Sequence, residues 1–177
     1  MAGKGKYYES QFEEATIELL RESHWQYTFG DDIHRKYADP LIEEDLRTFL
    51  AAQYKDKKLT ASEVDGIVAN LRNTGGQNDY YALQNTFLLY RDGYDFTYSD
   101  SRDNPFRLQY IDFEHPDHNI FRCVNQFVME QGRENRRPDI LLFVNGIPVC
   151  IVELKNPTKQ NLSLIHISEP TRLQLIS

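Results

Sequence analysis

Apolar residues recur at helical intervals through the first half of the chain and mostly at every second position afterwards. Phe12, Ala15, Thr16, Leu19 and Leu20 fall on one face up to about Ser23, and Ser10 with Glu13 has the form of a capping box, so a first helix is predicted there. A turn-rich stretch through Gly30 and Asp32 follows. A second helix is predicted to open with Asp39 as cap and Pro40 at its first position, burying Leu41, Leu46, Phe49 and Leu50. Thr60 and Glu63 give a second capping-box signature, followed by Val64, Ile67, Val68 and Leu71, with a stop near Gly75-Gly76. A fourth helix spans about Tyr80 to Tyr90 and ends at Gly93.

Beyond Gly93 the period changes from helical to alternating. Tyr94, Phe96 and Tyr98 alternate with polar residues, as do Leu108 and Tyr110 and, less regularly, Ile111 and Phe113. Phe121, Cys123, Asn125 and Phe127 continue the two-residue pattern. Two apolar runs follow, Ile140 to Val144 and Ile147 to Leu154, and Asn145-Gly146 between them is a strong hairpin signal. Helices first and strands later predict an α+β fold, helical over residues 7–93 and strand-rich over 94–161, in one domain covering 1–161.

Composition changes this picture little. The chain has 177 residues, 40% of them hydrophobic, which suits one globular domain with a real core. No apolar run approaches the roughly 18 residues of a membrane span, and MAGKGKYYES lacks the apolar region of a secretory signal. A cytoplasmic location is the expectation. Cys123 and Cys150 each lie in an apolar stretch and read as buried free thiols. The formal net charge of −7 argues against nucleic-acid binding through diffuse positive charge. It leaves room for a nuclease, which must gather carboxylates around a metal.

The candidate chemistry lies on the hairpin. Hydrolysis of a phosphodiester needs charge stabilisation on the phosphoryl oxygens and an activated water, and Mg²⁺ held by two or three carboxylates supplies both. A lysine can orient the water. Asp139, Glu153 and Lys155 are these residue types, and the intervening Leu154 would place Glu153 and Lys155 on one strand face. Register decides whether Asp139 joins them. A strict two-residue turn pairs Val144 with Ile147 and sets Asp139 opposite Val152, on the other face. A type I turn with Gly146 as a G1 bulge pairs Phe143 with Ile147 and brings all three to one face. The bulged form is therefore the expectation.

The segment RRPDILLFVNGIPVCIVELKNP, Arg136 to Pro157, resembles the nuclease motif of the motor (restriction) subunit of type I restriction enzymes. Upstream, Glu9-Ser10-Gln11-Phe12-Glu13 and the helix that follows, ending in Trp25-Gln26-Tyr27, resemble that family's amino-terminal helix, and Asn125-Gln126-Phe127 resembles the strand before the catalytic hairpin. About residues 7–161 are covered. The resemblance implies a restriction-endonuclease-like PD-(D/E)xK core, a mixed sheet flanked by helices, with Asp139, Glu153 and Lys155 at the catalytic positions and Asp139 and Glu153 as metal ligands. It implies Mg²⁺-dependent cleavage of unmethylated double-stranded DNA after ATP-driven translocation by a downstream motor, and methylation and specificity subunits as partners. The family's following helix with Gln-x-x-x-Tyr spacing, its next strand and a Gly-Lys-Thr phosphate loop are not in this sequence, so the core is expected to be incomplete at its C-terminal end. Two other readings stand beside this one: another PD-(D/E)xK nuclease, such as a repair or junction enzyme, or a catalytically silent docking module of a restriction complex.

Several residues carry secondary expectations. Glu13 could complete the metal site from the first helix, against the plainer role of capping Ser10. Arg133, Arg136 and Arg137, and with them Lys159, could meet DNA phosphates, against a solvated basic turn. His115 and His118 read as a polar loop rather than a zinc site, because no cysteine or third histidine lies at ligand spacing. Tyr80, Tyr81 and Tyr90 read as core and interface. The tail LSLIHISEPTR, Leu162 to Arg172, resembles the translation of a transposase-type sequencing-library adapter, so residues 162–177 are expected to be non-native and His166 is not counted as a ligand.

Overall fold

The computed structural model describes residues 4–74, 79–100, 103–131 and 134–154. The chain divides into two compact units. One is built from the segment up to Pro40, Phe121–Phe143 and the stretch from Pro148; the other from Leu41–Ile120 and Val144–Ile147.

In the first unit, helix α1 (Lys4–Glu22) leads into strand β1 (Gln26–Phe29), which pairs in parallel with β4 (Phe121–Asn125), Gln26 opposite Arg122 and Phe29 opposite Asn125. The hairpin strands β7 (Ile140–Val144) and β8 (Ile147–Val152) complete a mixed four-stranded sheet in the order β1-β4-β7-β8. A short hairpin, β5 (Met129–Gln131) with β6 (Glu134–Arg136), stands apart as an antiparallel pair. Phe127 and Phe143, both fully buried, pack with ring centroids 5.1 Å apart. The Arg35 guanidinium lies over the Phe127 ring, 3.4 Å from its centroid, and donates to the carbonyls of Lys36, Tyr37, Asp39 and Val128.

The second unit is mainly helical. Helix α2 (Glu43–Gln53), α3 (Ala61–Arg72) and α4 (Asp79–Asp92) accompany a two-stranded antiparallel sheet of β2 (Tyr94–Phe96) and β3 (Phe106–Leu108). Its core holds Leu46, Phe49, Leu50, Ile67, Val68, Leu108, Tyr110 and Ile147. The Thr60/Glu63 capping box forms as expected, satisfying two of the open N–H groups at the start of α3.

Four sequence expectations change. Ser10 lies inside α1 rather than at its start, so it is not the helix N-cap. Helix α2 begins at Glu43, not after Asp39-Pro40, because Ile42 is held out of helical conformation at φ −93° and ψ 85°, its N–H bonded to the Gly146 carbonyl at 2.9 Å and its carbonyl accepting from Leu46 as the N-cap. Residues 26–29, expected to be helix end and turn, form a strand, so the helical half contains a sheet element. Cys150 is exposed on β8, the outermost strand of its sheet among the described residues; Cys123 is buried, and that burial pushes its thiol pKa up. No helix among the described residues is long and apolar enough to cross a membrane.

Candidate metal-nuclease site

The hairpin turn is tighter than the sequence expectation. Asn145 and Gly146 both have positive φ, +52° and +75°, which defines a two-residue type I′ turn and rules out the G1 bulge, whose only left-handed residue would be Gly146. Such a turn joins Val144 directly to Ile147. The left-handed backbone is fixed from outside the strands. Asn145 donates its N–H to the Ile120 carbonyl (2.8 Å), accepts the Ile120 N–H on Oδ1 (2.7 Å) and donates Nδ2 to the Tyr110 carbonyl and Asn119 Oδ1. At Gly146 an added Cβ would stand 2.1 Å from the Ile42 carbonyl oxygen, so only glycine fits.

In this register Asp139 lies across from Val152, yet its carboxylate still reaches the end of β8. Asp139 Oδ2 accepts the Leu154 N–H at 2.6 Å. Strand β8 stops at Val152, so strict alternation of faces does not extend to Glu153. The side chain of Asp139 therefore binds the backbone between Glu153 and Lys155, next to both positions that the motif assigns. Asp139 is half-buried behind the buried Pro138, and Glu153 is exposed. Among the described residues Asp139 Oδ1 accepts no hydrogen bond, which leaves a carboxylate oxygen for a hard cation. Carboxylate oxygens on Asp139 and Glu153 are the donor type Mg²⁺ selects, and to that extent the residues fit the ion.

Glu13 has a different neighbourhood. Its Oε1 accepts from Asn125 Nδ2 (2.8 Å) and Gln126 Nε2 (3.3 Å), just past the end of β4, where Gln126 adopts a φ of +57°. The Tyr27 hydroxyl donates to Asn125 Oδ1 at 3.0 Å, and its pKa is raised, first by burial and then by the Glu13 charge. Glu13 thus anchors α1 to the Asn-Gln dipeptide. The carboxylates of Glu13, Asp139 and Glu153 do not gather into one ligand cluster.

Arg136, on β6, and Arg137 are exposed. Arg133, Lys155 and Lys159 lie outside the described residues, as do the side chains of Tyr80 and Tyr81 and the whole of 162–177. Tyr90 is partly buried against the second unit's core, and burial pushes its pKa up to about 12. His115 and His118 are joined by a third side chain of metal-ligating type that histidine and cysteine spacing alone could not reveal, Asp112; one donor atom from each lies within 4.8 Å of the others. The spacing Asp-x-x-His-x-x-His was the available signal.

A family profile described as the type I restriction enzyme R protein N terminus matches residues 6–166. The type I restriction enzyme HindI endonuclease subunit of Haemophilus influenzae is 30% identical over 167 residues, covering 89% of this chain and 16% of that subunit. The MjaIXP endonuclease subunit of Methanocaldococcus jannaschii is 28% identical over 162 residues, covering 82% of this chain and 15% of its own length. No solved structure matches the chain. The chain therefore spans about a sixth of the relatives it resembles. It belongs to the family of type I restriction enzyme R protein N termini, the N-terminal region of the endonuclease subunit.

Proposed function

We propose that this chain is the DNA-cleaving domain of a type I restriction endonuclease subunit, built on a PD-(D/E)xK core and acting in the cytoplasm. Asp139 and Glu153 hold Mg²⁺, and Lys155 orients the attacking water against the phosphodiester. The observation that supports this reading is the bond from Leu154 N–H to Asp139 Oδ2, which ties the first acidic residue of the motif to the segment bearing the other two. Bound Mg²⁺ would supply Lewis-acid stabilisation of the phosphoryl charge. The chain's own part is to hold the carboxylates at the mouth of the hairpin, with the exposed guanidinium groups of Arg136 and Arg137 available to backbone phosphates. Double-stranded DNA is the substrate. Methylation and specificity subunits are the partners, and ATP acts through a translocase elsewhere in the subunit.

Mn²⁺, a paramagnetic stand-in for Mg²⁺ that prefers the same oxygen ligands, tests the metal assignment on this chain. Electron paramagnetic resonance should show Mn²⁺ binding that weakens at least tenfold in both Asp139→Ala and Glu153→Ala. Wild-type affinity in both variants would refute the assignment.

A further inference from the structure

Away from the hairpin, three metal-type ligands converge on one loop. Asp112 Oδ2 lies 3.1 Å from His118 Nδ1 and 3.6 Å from His115 Nδ1. A tetrahedral zinc ion with bonds of about 2.0–2.1 Å separates its ligand atoms by about 3.3–3.4 Å, and these two edges bracket that value. We propose that Asp112, His115 and His118 form a binding site for a divalent transition-metal ion of the zinc class, with one carboxylate oxygen and two ring Nδ1 atoms as ligands and the remaining position open to water.

The ligands are held in place by their surroundings. Asp112 is only 5% exposed. Its Oδ1 accepts the Glu114 and His115 N–H groups at 3.0 and 2.8 Å, and its Oδ2 accepts Gln53 Nε2 at 3.0 Å. Such outer bonds fix the orientation of a ligating carboxylate. The Asn119 side chain closes the loop, donating to the Asp112 and Pro116 carbonyls and accepting the Asp112 N–H. Pro116 opens a short 3-10 helix, Pro116–His118, that brings His118 one turn past His115. The two imidazoles stack with centroids 4.9 Å apart and planes 18° from parallel, presenting both Nδ1 atoms to one carboxylate. With side chains 63% and 56% exposed, both rings are open to an ion from solvent.

Hydrogen bonding to Asp112 accounts for His118 alone. At 3.6 Å, His115 Nδ1 is beyond hydrogen-bond reach, so a second ring aimed at the same oxygen has no role in that account. A metal ion between them uses both rings.

The test uses the untagged chain, stripped with EDTA and dialysed, then titrated with Zn²⁺ by calorimetry and with Co²⁺ by visible absorption. The expected result is one saturable equivalent, a Co²⁺ spectrum of low coordination number, and at least a tenfold loss of affinity in the His115→Ala/His118→Ala double variant. Asp139→Ala and His24→Ala should bind as wild type does, which separates this site from the hairpin and from adventitious histidine binding. In EDTA the double variant should melt with the wild type, and Zn²⁺ should raise the Tm of the wild type only. Absence of saturable binding, binding unaffected by the double substitution, or binding lost in Asp139→Ala would each overturn the proposal.

Discussion

Asn145 and Ile120 hold each other by two reciprocal hydrogen bonds, the Asn145 N–H to the Ile120 carbonyl and the Ile120 N–H to Asn145 Oδ1. This pair imitates one step of a strand ladder at a place where no strand runs, and it fixes the turn from which β8 sets out toward Glu153. Asn145→Ala should cost about 2–4 kcal/mol, because it leaves the part-buried Ile120 N–H and the buried Tyr110 carbonyl without these partners, takes one of two donors from Asn119 Oδ1 and puts alanine at positive φ. Asn145→Gly loses the same bonds but tolerates the backbone, so it should fall between the two. Urea denaturation of the three proteins checks the order wild type, Gly, Ala; an alanine variant as stable as wild type would show that the turn does not depend on these bonds.

A second close approach positions the Asn125-Gln126 dipeptide that receives Glu13. A Cβ on Gly30 would stand 2.5 Å from the Gln126 carbonyl oxygen, a backbone atom that cannot swing away. Gly30→Ala should lower stability by about 2 kcal/mol or more through overpacking. Shortening Glu13 in Glu13→Asp should cost less, since it disturbs a part-buried side-chain anchor at the end of β4 and no backbone contact. Thermal melts of both variants read the difference directly.

How much of this was legible in the sequence depends on the reach of each signal. The Thr60/Glu63 box and the Asn145-Gly146 turn are local, spelled within four residues, and both were found. Strand β1 was missed because Gln26–Phe29 is short and its partner, Arg122–Asn125, lies about a hundred residues away in a parallel pairing without a turn to announce it. Ser10 misled for the opposite reason: a good local cap signature sits within a helix that starts earlier. The hairpin register is not legible from the chemistry of its ends, because aligning Asp139 with Glu153 on one face favours a bulge that the backbone does not adopt. The chain uses the tight turn instead, and Asp139 reaches across to Leu154. Asp112 is hidden in the sequence for another reason: a lone aspartate among many acidic residues carries little ligand signal until the fold sets it beside His115 and His118.

Acid should weaken the α2–α3 packing through Glu43. Hydrogen bonds from Arg72 and then Arg47 hold its carboxyl below the ordinary glutamate range, with N–O distances of 2.5 and 2.7 Å. A carboxylate whose folded pKa is lowered adds stability above its unfolded pKa, about 4.3, and loses that contribution as pH falls through the folded value. The wild-type Tm should thus drop more steeply below about pH 4.5 than that of Glu43→Gln, with the two curves converging in strong acid. Parallel curves from pH 6 to 3 would show that the pair adds nothing.

Asp139 is the residue on which the proposed metal nuclease centre depends. The most direct measurement is Mg²⁺-dependent cleavage of plasmid DNA by the complete endonuclease subunit carrying this domain, assembled with its partners and supplied with ATP, comparing Asp139→Ala with wild type. Removal of a metal ligand should reduce cleavage by about a thousandfold or more, about 4 kcal/mol in the barrier, while DNA binding and ATP turnover persist. Cleavage at the wild-type rate would contradict the account and leave this domain as a docking module.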